Sequence, residues 1–312
     1  MSRRVPLRAL AVGAIAACAG ACAAQPGQPG TARAASDRCG GEPIFSAGAE
    51  RATLWIRNSS EYRAASETIY RAARDALARG LADATWTAEP SQAGDVSALP
   101  PAVVMDIDET VLDNSKLQAD MLLNGTCFGE FPRVWDDWLA KRRAAAVPGA
   151  AEFVQAARLA KDSEGRAVRV FFITNRECAS RADNEIACPQ QDDTLANLET
   201  LGLGSATLAD DLMLEGERPE WKSEKLTRRQ AVARTHRIVL NVGDDLADFL
   251  PAVRRASVAE RERARCAREA YWGRRWFLVP NPMYGSWLVS LGPSLEAAVG
   301  AEPGIQAACP AP

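Results

Sequence analysis

Two carboxylates two residues apart, Asp106 and Asp108, follow directly on the apolar run Ala102-Val103-Val104-Met105. Such a run reads as a strand buried on both faces, which delivers the pair to the strand's carboxyl end. There, one ionised carboxylate could attack phosphorus and form an acyl phosphate while the other moves a proton. Asp also caps turns and helices, and the pair alone does not choose between capping and catalysis. A calcium loop of the EF-hand type starting at Asp106 is excluded. Its sixth position is Val111 where glycine is required, and its twelfth is Leu117 where a bidentate Glu belongs.

The elements that would carry this pair can be read along the chain. From Gly48 to Trp86 the apolar residues Leu54, Trp55, Ile56, Tyr62, Ile69, Tyr70, Ala73, Leu77 and Leu81 recur at three-to-four spacing, which predicts one or two amphipathic helices. A Pro, Ser and Gly stretch at 90–101 ends them. Strands are then predicted at 102–107, 168–174, 237–243 and 276–280, with a weaker candidate near 212–214, and helices at 150–161, 192–201 and 223–234. Alternation of strand and helix means a doubly wound α/β fold, a parallel sheet with helices on both faces. Ligands of such sheets bind beyond the carboxyl ends of the strands. The residues expected there are Asp106 with Asp108; Thr174, Asn175 and Arg176; and Asp244 with Asp245. All suit phosphate or a hard cation.

The ends and the composition bound the setting. Arg3, Arg4 and Arg8 precede an apolar stretch at 9–17, too short to span a bilayer but suited to a signal peptide. Small residues before Cys18 and Cys22 match lipoprotein cleavage at either cysteine, with an ordinary cut near Ala23 as the alternative. The expected organisation is a signal peptide at 1–22, a flexible tether at 23–45, an N-terminal helical segment at 46–98 that belongs to a smaller domain, an α/β core with helical insertions at 99–295, and a tail at 296–312. The expected location is exported and periplasmic, with a lipid anchor to the outer membrane as the only membrane attachment. Beyond the leader stand Cys39, Cys127, Cys178, Cys188, Cys266 and Cys309, and an oxidising compartment favours disulfides among them. Cys178 and Cys188 could close a local loop; the full pairing is not deducible. His236 is the single histidine and no C-x-x-C occurs, which argues against zinc. A net charge of −3 gives no case for a nucleic acid polymer as partner.

DIDET, then ITN, then a lysine, then GDDLADF resemble, in that order, the four motifs of the haloacid dehalogenase (HAD) superfamily of phosphohydrolases. VVMDIDETVLDNS, FFITNR, NVGDDLADF and PNPMYGSW together resemble the class C bacterial acid phosphatases, over about residues 54–291. The resemblance implies a HAD-like core with a smaller, mostly helical cap-like domain. It also implies Mg²⁺-dependent hydrolysis of small phosphomonoesters, nucleoside monophosphates among them, through an aspartyl-phosphate. Asp106 matches the nucleophile, Asp108 the general acid and base, and Thr174 the hydroxyl that binds the phosphoryl group, with Asn175 beside it. Lys225 fits the motif lysine better than Lys222. The metal ligands implied are Asp106, the backbone carbonyl of Asp108, Asp244 and Asp248. Trp135, with Trp138 three residues on, and Tyr284 could line an aromatic mouth over the site, with core packing as the competing role. A homodimer is one oligomeric state left open. A non-catalytic binding or storage protein on the same fold is the competing function, and the retained Asp106 argues against it.

The chemistry explains why these groups belong together. A phosphomonoester carries close to two negative charges, and each unit-charge pair at about 4 Å repels by about 4 kcal/mol at an effective dielectric near 20. A divalent ion and the Lys225 ammonium would reverse that sign. Asp108 must begin protonated to act as an acid, which predicts an acidic or mildly acidic optimum.

Overall fold

A computed structural model of the chain describes residues 48–181, 186–292, 295–300 and 309. The expected signal peptide and tether, Cys39, and most of the tail lie outside the described residues. Helices α1 (Ala49–Asn58) and α2 (Ser60–Ala82) precede β1 (Pro101–Met105). Strand β2 (Leu112–Asp113) leads into α3 (Ser115–Asn124) and α4 (Phe131–Lys141), and β3 (Ala145–Ala146) returns to pair antiparallel with β2. The chain continues through α5 (Ala150–Leu159), β4 (Arg169–Glu177), α6 (Pro189–Thr200), α7 (Leu208–Asp211), β5 (Leu212–Glu215), α8 (Leu226–Ala233) and β6 (Arg237–Gly243). It ends with α9 (Val258–Cys266), β7 (Trp276–Leu278), α10 (Ser286–Ser290) and α11 (Leu295–Gly300).

The main sheet has the order β5-β4-β1-β6-β7, and every neighbouring pair is parallel. From the central β1 the chain winds outward to β4 and β5, then returns to β6 and β7 on the other side. That reversal leaves a crevice at the carboxyl end of β1, flanked by the ends of β4 and β6. Successive side chains along each strand feed opposite faces. Val103 and Met105 pack with Tyr70, Ala73 and Leu77 of α2 and with Phe153 and Val154 of α5. Ala102 and Val104 join Phe171, Ile173, Val232, Phe249 and Trp276 on the other face.

The doubly wound parallel sheet predicted from the alternation is the fold found. Two differences have local causes. Strand β4 runs to Glu177, three residues beyond the predicted Thr174, because its pairing with β5 shifts register after Thr174 and resumes at Glu177 opposite Glu215. Helix α6 begins at Pro189, ahead of the predicted 192, with proline in the first turn where its missing N–H has no partner to lose. The small β2–β3 sheet, too short for a periodic signal, brackets the insertion 114–144. Helix α1 lies along α3 of that insertion, and α2 lies against α5 and β6 of the core. Cys178 is bonded to Cys188 and Cys266 to Cys309; Cys127 is also in a disulfide.

Candidate active site

The DIDET segment turns sharply once β1 ends. The Ile107 carbonyl accepts from the N–H groups of Thr110, Val111 and Leu112 at 3.3, 2.7 and 2.8 Å, and Glu109 sits at φ 59° in the left-handed region. Asp106 is still tied to the sheet, since its N–H donates to the Val242 carbonyl at 3.0 Å. Its carboxylate is buried and accepts a short hydrogen bond from Lys225 Nζ. Lys225, at the start of α8, also donates to Asp248 Oδ1 at 2.6 Å. Lys222, the other lysine of that segment, is exposed.

Asp244 and Asp248 come from the end of β6 and the short turn after it. Asp248 folds back so that its Oδ2 accepts the N–H groups of Asp244 and Asp245 at 3.1 and 3.0 Å. Gly243 makes this close approach possible: a Cβ there would lie 2.6 Å from the Asp248 Cβ. Asp244 accepts from Thr110 Oγ1 at 3.1 Å and from Asn281 Nδ2 at 2.8 Å, which ties both the DIDET loop and the PNPMYGSW loop to it. Carboxylate oxygens of Asp106, Asp244 and Asp248 lie within 4.8 Å of one another.

Three acidic groups therefore converge beside one ammonium, which pairs with Asp106 and Asp248. Burial pushes the Asp106 carboxyl up to about 6; Lys225 pulls against this, and the charges of Asp248 and Asp108 add to it. Asp244 is raised well above the carboxylate range by burial and by the charges of Asp106 and Asp248. Lys225 is held above its usual range because those two carboxylates more than offset its burial. A hard divalent cation matches both the all-oxygen donor set and the surplus negative charge.

Asp108 stands on the other side of the crevice. Arg176, fully buried at the end of β4, grips it through Nη2 at 2.7 Å and Nε at 3.1 Å, and anchors itself on Thr194 at 2.9 Å. Asn114 Nδ2 donates to Asp108 Oδ1 at 2.9 Å, and Thr174 Oγ1 lies 3.4 Å from Oδ2. Asn175 turns elsewhere: its amide donates to the Ser223 carbonyl at 3.1 Å and accepts from Arg228 at 2.7 Å, bracing the segment that carries Lys225. Trp135 is partly buried, stacked on Phe131 at 6.0 Å with the Arg176 guanidinium 5.9 Å from its ring centre. Trp138 is buried, and its indole N–H donates to Asn114 Oδ1 at 2.8 Å. The Tyr284 hydroxyl donates to the buried carboxylate of Glu109.

The structure thus brings Asp106, Lys225, Asp244 and Asp248 together, with Asp108 and Thr174 beside them. Sequence reasoning gave no role to Glu109, Thr110, Asn114 or Asn281, and marked Arg176 only as a strand-end residue. Proximity to motif residues was the signal available for each of them. A cavity of about 330 Å³ between α3 and α4, lined by Leu117, Met121, Val134 and Trp138 among others, does not include the acidic cluster.

An α/β sheet with carboxylates, a buried lysine and a hydroxyl at its switch point defines a phosphoryl-transfer enzyme. The family described as HAD superfamily, subfamily IIIB (acid phosphatase) matches residues 46–287, and the chain belongs to it. Among solved structures, the class C acid phosphatase from Bacillus anthracis is 31% identical over 78% of this chain and 87% of its own, with a TM-score of 0.60. The same enzyme with tungstate bound is 30% identical over 80% and 93%, with a TM-score of 0.62. The protein is a phosphomonoester hydrolase of the class C acid phosphatase type.

Proposed function

We propose that the protein is an exported, Mg²⁺-dependent acid phosphatase that hydrolyses phosphomonoesters, nucleoside monophosphates among them, through phosphorylation of Asp106. The convergence of Asp106, Asp244 and Asp248 oxygens within 4.8 Å, beside a lysine, carries this reading. Those three carboxylates, with the Asp108 backbone carbonyl, would hold the ion. When bound, Mg²⁺ supplies positive charge against the phosphoryl oxygens and orients them. Lys225 adds a second positive charge, and Thr174 offers a hydroxyl to the phosphoryl group. Asp106 Oδ attacks phosphorus and the ester P–O bond breaks, with the departing oxygen taking the proton of Asp108. Asp108, now ionised, removes a proton from the water that frees phosphate from Asp106.

The Trp135 ring and the Tyr284 loop beside this crevice support an aromatic leaving group as substrate. Residues 1–22 would direct export and lipid attachment, and the α3–α4 insertion together with α1 would form the smaller domain. Tungstate, present in the similar Bacillus anthracis structure, is expected to inhibit this enzyme in competition with substrate. Phosphate release from p-nitrophenyl phosphate is expected to stop with EDTA and to return with Mg²⁺. Turnover unaffected by the chelator would remove the metal from the account. In Trp135→Ala the KM for aromatic esters should rise more than that for alkyl esters; equal changes would assign this ring to packing.

A further inference from the structure

Asn114 ends the nucleophile loop and opens the α3–α4 insertion, and all its side-chain polar atoms are engaged. Its Nδ2 donates to Asp108 Oδ1 at 2.9 Å and to Glu109 Oε2 at 3.3 Å, while its Oδ1 accepts the Trp138 indole N–H at 2.8 Å. The backbone N–H of Asn114 donates to Glu109 Oε1 at 3.0 Å. Glu109 also accepts from Gln118 of α3 at 3.1 Å and from the Tyr284 hydroxyl. Asn114 and Glu109 are both almost wholly buried. Glu109 holds a positive φ of 59°, a conformation that persists only where the surroundings over-determine it. The bond from Trp138 also fixes the Asn114 amide so that its NH₂ edge must face Asp108 and Glu109.

This wiring discriminates between the two oxygens of Asp108. Oδ1 receives the short bonds, from Arg176 Nη2 at 2.7 Å and Asn114 at 2.9 Å. Among the described residues Oδ2 has Arg176 Nε at 3.1 Å and the long contact with Thr174 at 3.4 Å, which leaves it the less engaged oxygen and the one free to meet a departing group. Arg176 engages both oxygens from β4, and Asn114 adds a further bond to Oδ1 from the side of the insertion. We propose that Asn114 is a positioning residue for Asp108, through which the seating of α4, sensed by Trp138, and of the Tyr284 loop, sensed by Glu109, sets the aim of the proton-donating carboxyl. The inference rests on Asp108 as the proton donor of the proposed reaction.

Leaving-group dependence separates this role from a structural one. An alkyl alcohol needs a proton as it departs, whereas p-nitrophenol leaves without one. General acid catalysis contributes on the order of 10²–10⁴-fold where it is needed, so a misaimed acid costs much with one ester and little with the other. The experiment measures kcat/KM for an alkyl phosphate and for p-nitrophenyl phosphate in Asn114→Ala, in Trp138→Phe, which removes the indole donor, and in Tyr284→Phe, which removes only a hydroxyl. Thermal melts identify any variant that is not folded, and such a variant is set aside in favour of the other two. The expected result is a loss of about tenfold or more on the alkyl ester with less than about threefold on the p-nitrophenyl ester in the folded variants. Losses equal on the two esters, or absent from both, overturn the proposal. An unmutated enzyme inactive on both esters would instead contradict the phosphatase reading itself.

Discussion

Asp106 has two demands on it that conflict in the metal-free protein. As the proposed nucleophile it would have to be ionised, yet burial and the neighbouring carboxylates raise its pKa from the usual value near 3.8 to about 6. Because the folded state binds the proton more tightly than the unfolded state, this group's contribution favours folding below about pH 4 and is lost as pH rises through 6. Asp106→Asn should therefore stabilise the metal-free protein at pH 7, by about 1–3 kcal/mol, while lowering turnover on the order of 10⁴-fold or more. Calorimetric melts beside a phosphate-release assay would show it; a destabilised asparagine variant would mean that the ammonium of Lys225 already balances the cluster. The acids themselves were legible in the chain, since D-x-D after a buried strand and GDDLADF after another declare their position. The grip of Arg176 and Asn114 on Asp108 was not. Arg176 lies 68 positions from Asp108, and only the register of β4 against β1 brings the two together. Asn114 is close in sequence, but the bond from Trp138 that fixes its amide depends on how α4 folds back.

At the scale of elements, the turn after β6 is where one backbone choice decides the site. Gly243 ends β6 directly beneath the Asp248 side chain, so a methyl group at that position must displace the carboxylate. Gly243→Ala should weaken Mg²⁺ binding at least about tenfold while leaving the sheet intact, because pairing with β7 uses only the backbone. Titration calorimetry with circular dichroism as the control measures both, and unchanged affinity would show that Asp248 has room to shift. The Cys178–Cys188 bridge joins the end of β4 to the start of α6, the two elements between which Arg176 is stretched. Replacing both cysteines with serine should cost about 2–3 kcal/mol, as expected for closing a loop of this length. Denaturant midpoints test that figure, and a variant as stable as the parent would make the bridge dispensable. The five strands and the crossover helices were readable because buried parallel strands are continuously apolar and helices repeat at 3.6. The β2–β3 pair was not, since two residues carry no period.

For the molecule as a whole, the fold gathers the carboxyl groups of Asp106, Asp244 and Asp248 at one crevice, where a cation would neutralise them. Mg²⁺ should therefore stabilise the protein, by about 2.7 kcal/mol at a hundred times its dissociation constant. The gain should shrink as pH falls below about 6, where protons compete for Asp106. Melting curves across pH with Mg²⁺ and with EDTA check this, and a metal effect constant with pH would place the ion away from these carboxylates. The insertion matters at the same scale, because α4 reaches Asp108 through Trp138 and Asn114. None of this is decisive without the covalent step. The most direct test quenches the enzyme during turnover, reduces any acyl phosphate with borohydride, and maps the product by peptide mass spectrometry. The expected result is homoserine at position 106 in the substrate-treated enzyme and unmodified Asp108, Asp244 and Asp248. Homoserine at one of those other positions, or at none under conditions of active turnover, would contradict it.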